Sequence, residues 1–456
     1  MPVVVSVASP SRGIKLSALP PLSLYVHVPW CVRKCPYCDF NSHELRAAWS
    51  SPIAPPLPHP PPAGERTLVP AASSSIEAIA LSGSRTGSPA RAPRAVRGGM
   101  ASLPHDLEDR YVAALTADLE QALPQVWGRR VHSLFFGGGT PSLLSPRALD
   151  QILSMIRARL PLTPDAEITL EANPGTFEAE KFAQFRALGI NRLSIGIQSF
   201  DPHHLNVLGR IHDRDEGLRA VEIAHANFDN FNLDLMYALP EQTLAQALAD
   251  IDRAIALAPT HISAYHLTIE PNTYFHRFPP KVPDDELSAA MQESIEARLA
   301  AAGYVHVETS AFAKPGYACR HNLNYWRFGD YLGLGAGAHG KISLPTRIVR
   351  EMRWKHPRDY IDNALAHNAI QESHEVAPHD LPFEFMMNAL RLIDGFALQT
   401  FEERTGLPAA AILPTLATAE ALGLIERDHT NVRPTLRGQR FLNDLLQLFL
   451  DEADER

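Results

Sequence analysis

Leu24-Tyr-Val-His-Val-Pro-Trp-Cys31-Val-Arg-Lys-Cys35-Pro-Tyr-Cys38 is the stretch on which the reading of this chain turns. Its first five residues alternate and stop at Pro29, which predicts a short strand over 24–28. A C-x3-C-x2-C run hangs from the end of that strand, so one loop offers three thiolates. Three thiolates hold three irons of a 4Fe–4S cube and leave the fourth iron without a protein ligand. An open iron can bind a small molecule, so such a cluster can do chemistry as well as carry electrons. Tyr37 is an aromatic placed to pack against the third ligand. A structural zinc site would want four ligands, usually in paired C-x2-C units. Cys319 is the one other cysteine and lies far along the chain, which leaves His27 and His43 as nearby candidates for a fourth ligand. A disulfide would leave one of the three clustered cysteines over. The cluster is the stronger reading.

The bulk composition fits a globular protein. With 456 residues, 45% hydrophobic and 20% charged, the length prior is about three domains. A net charge of −9 argues against general attraction to nucleic acid or anionic membrane. No apolar run approaches the roughly 18 residues of a transmembrane segment. The N-terminus Met1-Pro-Val-Val-Val has no basic start or long apolar stretch and makes a poor signal peptide. Four cysteines, three of them clustered, suit a reducing compartment, which makes the cytoplasm the expectation.

Beyond the cysteine loop the pattern breaks from residue 46 to about 104. This stretch is dense in Pro, Ala, Ser, Gly and Arg, and no aromatic stands between Trp49 and Tyr111. Such a composition buries too little apolar surface to order itself and reads as a disordered insertion. Leu107, Tyr111, Leu115 and Leu119 then recur every four residues, the mark of an amphipathic helix. Strands are expected at Val131–Phe136, Glu167–Glu171, Arg192–Ile197, Phe231–Met236, Ile262–Thr268 and Val305–Thr309. Helices lie between them, for example Phe177–Leu188 and Leu244–Leu257. Repeated strand–helix units imply parallel strands, in an incomplete barrel or a doubly wound sheet, with ligands at the carboxyl ends of the strands.

The last part of the chain changes character. A helix over Leu398–Thr405, a helix over Pro408–Leu422, two short strands and a helix over Gly438–Leu450 resemble a winged-helix module. Residues 380–456 hold seven Arg against thirteen Asp and Glu, a net of −6. That balance opposes phosphate binding and favours packing or docking.

Phe136-Gly-Gly-Gly-Thr140-Pro141 follows the strand over 131–136. Three glycines let backbone approach a ligand closely. One βα unit after the cysteine loop, this turn resembles the GGGTP motif of the radical S-adenosylmethionine (SAM) superfamily, in which SAM chelates the open iron and the backbone meets its amino group. That resemblance assigns Gly138, Gly139 and Thr140 to SAM. The run from Leu24 to His43 further resembles the HemW family of heme chaperones, a relative of the oxygen-independent coproporphyrinogen III oxidase HemN. So do Glu171-Ala-Asn-Pro-Gly, Ser194-Ile-Gly-Ile-Gln-Ser-Phe200, Asn232-Leu-Asp-Leu-Met-Tyr-Ala-Leu-Pro240 and Leu267-Thr-Ile-Glu-Pro271.

The resemblance implies an α/β fold: a radical SAM partial (β/α) barrel of about six parallel strands with a smaller, α-rich, winged-helix-like C-terminal domain. On this reading residues 1–20 are a tail. Residues 21–45 and 105–345 form a discontinuous core, 46–104 the insertion and 346–456 the C-terminal domain. The implied 4Fe–4S ligands are Cys31, Cys35 and Cys38. The implied SAM contacts are Tyr25, Tyr37, Glu171, Gln198, Arg210, Asp234 and, more weakly, Thr268, with the glycine loop. Each is chemically apt: Arg210 can pair with a carboxylate, Gln198 both donates and accepts, and Asp234 can accept from ribose hydroxyls.

A third string, Cys319-Arg-His321-Asn322-Leu-Asn-Tyr325-Trp326, resembles the HNxxYW motif associated with heme in the HemW family. His321 and Tyr325 would share a helix face. Imidazole is a common axial ligand of heme iron, and Tyr325 and Trp326 are suited to a flat porphyrin. By residue chemistry alone, a histidine beside aromatics is more often a core group. Cys319 and His339, the latter in the glycine-rich loop 333–340, are the other candidate iron ligands. The implied partners are heme, a heme-acceptor protein and, if SAM is cleaved, an electron donor. The alternative is a coproporphyrinogen III oxidase that cleaves SAM and oxidatively decarboxylates propionate side chains. The oxidase pattern carries a further cysteine two positions after the third, where this chain has Phe40.

Overall fold

The computed structural model describes residues 13–45 and 103–450. Almost all of the expected insertion, 46–102, lies outside the described residues. Its last two expected positions lie inside them, and Leu103 is buried in the core with its amide bonded to the Leu143 carbonyl.

Six strands follow the βα rhythm read from the sequence. These are β1 (Leu22–Val28), β2 (Val131–Gly138), β3 (Leu162–Ala172), β4 (Arg192–Gln198), β5 (Phe231–Tyr237) and β6 (His261–His266). They pair in that order, all parallel. The longer helices between them are α1 (His105–Val126), α2 (Pro146–Arg159), α3 (Ala179–Leu188), α4 (Arg214–Asn227) and α5 (Leu244–Ala256). The four-residue repeat of α1 faces inward as expected: Leu107, Tyr111, Leu115 and Leu119 are all buried. Buried Glu108 on α1 accepts from the backbone and hydroxyl of Ser145, the N-cap of α2, and so ties the two helix starts together. Capping boxes start α4, at Asp213 and Glu216, and α5, at Thr243 and Gln246.

After α6 (Asp285–Ala301) the rhythm ends. Val305–Thr309 was expected as one more unit of the series. Instead β7 (Val305–Glu308) turns within two residues into β8 (Ala311–Ala313), and β8 is the strand that pairs with β6, antiparallel. A parallel partner needs a long crossover, and a two-residue link leaves only the antiparallel return. The chain then forms α7 (Arg320–Trp326) and β9 (Asp330–Leu334), which lies parallel to β1 on its other side. The parallel run is therefore seven strands, with β1 inside it. β10 (His339–Leu344), β11 (Arg347–Arg353) and β12 (Ile370–Glu375) extend the sheet antiparallel.

The C-terminal region has its own apolar core around Phe385, Phe401, Leu416 and Leu445. Its three short strands pair in the order 396–397, 431–434, 425–427. Two expected helices are broken. Pro408–Leu422 is a short 3-10 turn over Ala409–Ala411 followed by a helix over Leu413–Ala421, because Pro414 can only sit in a first turn. Gly438–Leu450 is two pieces, Leu436–Arg440 and Leu442–Gln447, parted at Phe441, whose backbone is not helical. Residues 13–20, read as tail, are held in place: Ile14 belongs to this second core and the Leu16 amide bonds to the Pro345 carbonyl.

Candidate functional site

The end of β1 runs through Pro29 into Trp30 and Cys31, which pair with His43 and Glu44, so the cysteine loop closes on itself. All three loop cysteines are half-buried free thiols, and each has a polar neighbour. Thr140 donates its hydroxyl to Cys31 Sγ at 3.5 Å, Arg210 Nη1 donates to Cys35 Sγ at 3.7 Å, and Ser42 Oγ lies 3.9 Å from Cys38 Sγ. Burial pushes the Cys31 thiol up to about 11, against the Thr140 bond, and also raises Cys38. A bound cation is what makes such groups thiolates. Donors aimed at sulfur fit cysteinyl ligands of a cluster, whose potential such bonds tune. Among the described residues no three His, Cys, Asp or Glu side chains are gathered closely enough for a single metal ion, as a mononuclear zinc site would require. Tyr37 packs in a small apolar cluster with Leu208, Met236, Leu239, Leu267 and Phe275.

The glycine loop lies directly against this strand. The Gly139 amide bonds to the Val28 carbonyl at 2.8 Å, and a Cβ at Gly139 would come 2.6 Å from the Trp30 carbonyl oxygen. Gly138 has φ +113°, and its amide points at Glu171 Oε2, 3.2 Å away. Burial, then the nearby Asp234, lifts the Glu171 carboxyl to about 8. Asp234 is itself raised by burial, and it accepts from Ser194 Oγ at 2.9 Å and Asn232 Nδ2 at 2.7 Å. Arg210, half-buried, also donates to the Gly196 carbonyl. Gln198 ends β4 with φ +67°, a left-handed conformation that a side chain rarely adopts. Tyr25 donates to His27 Nδ1 at 3.0 Å. The His27 Nε2 must carry hydrogen, since its partner at 2.9 Å is the Asn41 carbonyl. Burial lowers His27 to about 4, so the ring is neutral. Thr268 lies beyond the end of β6 and is exposed.

The motif on α7 comes apart into two environments. His321 and Tyr325 share a face as expected, their Nε2 and hydroxyl 3.3 Å apart. His321 is only 2% exposed, its Nδ1 is 3.0 Å from Ser133 Oγ, and burial beside Arg192 pushes it down to about 3. Axial ligation of iron by this ring requires giving up one of those two contacts. Trp326 faces the other way, under the Arg391 guanidinium at 5.1 Å. Cys319 is buried with its thiol on Glu167, and burial pushes it up to about 12. His339 opens β10, exposed, and the loop before it reaches the cysteine loop through Asn41, which donates to the Ala336 carbonyl.

A cavity of about 210 Å³ inside the barrel brings part of the two sets together. Tyr25, Glu171 and Asp234 line it with His321, Asn322 and Tyr325. So do Arg192, Ser194, Asn232, His261 and Ser263, which the motif reading passed over. Their signal is visible in the strands. Arg192-Leu-Ser194 in β4, Asn232-Leu-Asp234 in β5 and His261-Ile-Ser263 in β6 alternate polar and apolar. Side chains two apart point to one side of a strand, here the lumen.

The profile of the Radical SAM superfamily matches residues 25–254, and that of the HemN C-terminal domain matches 376–441. The heme chaperone HemW of Escherichia coli K12 is 44% identical over 95% of this chain and 99% of its own. That of Haemophilus influenzae is 42% identical over the same shares, and that of Bacillus subtilis 30% over 94% and 99%. Among solved structures, the coproporphyrinogen III oxidase HemN of Escherichia coli, described as a radical SAM enzyme, superposes with a TM-score of 0.70. It is 21% identical, with 94% of this chain and 90% of that one covered. At that identity the likeness speaks for the fold. The chain belongs to the radical SAM superfamily and, within it, to the HemW family.

Proposed function

We propose that this protein is a heme chaperone that carries a 4Fe–4S cluster and SAM, binds heme and passes it to an acceptor protein. The observation that carries the reading is the near-full-length kinship with chains named heme chaperone HemW. In this reading Cys31, Cys35 and Cys38 hold the cluster, with Thr140 and Arg210 donating to sulfur. Tyr25, Tyr37, Gly138, Gly139, Glu171, Gln198, Asp234 and Thr268 hold SAM together with those two. When bound, a reduced cluster supplies an electron to the SAM sulfonium. The chain's own part is to orient SAM and shield it from water: Glu171 and Asp234 face its positive groups, and Tyr25, fixed by neutral His27, forms a wall. Heme is assigned to the segment of His321, Asn322, Tyr325 and Trp326. The free cysteines suit a reducing compartment such as the cytoplasm. No helix among the described residues is long and apolar enough to cross a membrane.

A second reading, a coproporphyrinogen III oxidase, draws on the fold shared with HemN. Phe40, where the oxidase pattern has cysteine, weighs against it; it stands 62% exposed beside the cluster loop. Anaerobically reconstituted, reduced protein is given SAM and coproporphyrinogen III, with an authentic oxidase as control. The expected result is no porphyrin product, together with heme uptake in a parallel titration. Protoporphyrinogen and 5′-deoxyadenosine formed in stoichiometric turnover would make it an oxidase.

A further inference from the structure

Arg192 is buried in the lumen with nothing to bind. It is 2% exposed, and its Nε is enclosed without a partner. Among the described residues its guanidinium makes no hydrogen bond and no ion pair. The carboxylates whose fields reach it, Glu167 and Asp234, are committed elsewhere. Glu167 accepts from the Arg320 amide at 2.9 Å, and Asp234 from Ser194 and Asn232. Two strands along the same sheet, His261 spends Nδ1 on Asn232 Oδ1 at 2.7 Å, which puts the hydrogen on Nδ1. Its buried Nε2 is an unclaimed acceptor. A guanidinium offers five donors in a planar fork that matches the two oxygens of a carboxylate, and a buried one without an acceptor is strongly disfavoured. A carboxylate pairs with the free donors of Arg192, while His261 Nε2, itself an acceptor, can meet it only through a water.

The same cavity is lined by His321, Asn322 and Tyr325. Its volume of about 210 Å³ has room for about seven waters and is below that of pockets for drug-sized ligands. It has room for an arm of a ligand. Exposed Tyr265 and half-exposed Asn322 and Tyr325 give it an edge on solvent.

We propose that this cavity receives a carboxylate arm of the porphyrin cargo, with Arg192 as its counter-ion and His321 as part of the wall. The α7 motif then meets heme through a propionate and not through iron. This rests on the heme reading above and deepens it.

Cluster-loaded protein is titrated with ferric heme and with heme dimethyl ester, whose propionates are masked, following heme absorbance and spin state. The wild type should bind the ester at least tenfold more weakly than heme. Arg192→Met should bind both at the weaker level, Arg192→Lys in between, and His321→Ala should leave the heme spin state unchanged. Propionate alone should compete with heme in the wild type and not in Arg192→Met. Equal affinity of the wild type for heme and ester overturns the proposal, and so does loss of a histidine-ligated spectrum in His321→Ala. If Arg192→Met lowers SAM affinity but not heme affinity, the arm belongs to SAM and the proposal also falls. If the Arg192 variants do not fold, the wild-type comparison alone decides. A wild type that binds neither heme nor ester removes the chaperone reading and this inference with it, whereas binding of both alike removes only the inference.

Discussion

Thr140 donates its hydroxyl to the sulfur of Cys31 across 109 residues of chain. The glycine loop and the cysteine loop are thus joined at a thiol proposed to hold the cluster. Hydrogen bonds to sulfur raise the potential of an iron–sulfur centre. Thr140→Val keeps the shape and removes the donor. It should lower the cluster midpoint potential by on the order of tens of millivolts while leaving iron content unchanged. A redox titration giving an unchanged potential would show that the contact does not reach the bound cluster.

Glu171 makes the cofactor-free protein pH-sensitive. Its folded carboxyl titrates near 8, well above its ordinary 4.5. The folded state therefore binds more protons than the unfolded one between those values, and stability falls as pH rises through that window. Glu171→Gln should flatten the decline and be more stable than wild type at pH 8.5 by on the order of 2 kcal/mol. Parallel melting curves from pH 5 to 8.5 would sink the assignment.

Tyr111 hands its hydroxyl to the His27 carbonyl and receives the Ala336 amide at 3.2 Å, fully buried. Tyr111→Phe leaves both backbone groups short of a partner and should lower stability by about 1–3 kcal/mol. Urea unfolding measures this, and a change below experimental error would mean that water replaces the hydroxyl.

Gln198 sits at φ +67° where β4 ends. Gln198→Gly relieves a conformation that costs a side chain about 1–3 kcal/mol, partly offset by glycine's entropy. The variant should melt no lower than wild type yet bind SAM at least tenfold more weakly. A variant that melts lower and binds SAM normally would reverse both parts.

The upper half of the site was readable because its residues sit in contiguous strings: the cysteine run, the glycine turn and the strand ends at Glu171, Gln198 and Asp234. The lower half was not. Arg192, Asn232 and His261 each begin or nearly begin a strand, far apart in sequence, and only closure of the sheet brings them together. Polar alternation in three strands was the available sign, and it was passed over because apolar neighbours fill the same segments. The α7 motif shows the limit differently. Helical periodicity correctly paired His321 with Tyr325. It carried no information on which side of the barrel α7 packs, and so could not separate them from Trp326. Val305–Glu308 has a strand's composition and runs in the sense of the parallel strands, but the short link folds Ala311–Ala313 back between it and β6.

The position of β1 has a consequence for how the protein is made. The strand that carries the cysteines takes its second neighbour from Asp330–Leu334, and Asn41 in the loop is clamped by the carbonyls of Ala336 and Lys355. During vectorial synthesis the three cysteines leave the ribosome when most of the chain that will hold them has yet to be translated. The nascent loop therefore lacks both of these contacts until residue 355 has emerged, and a translation product stopped before that point leaves Asn41 unclamped.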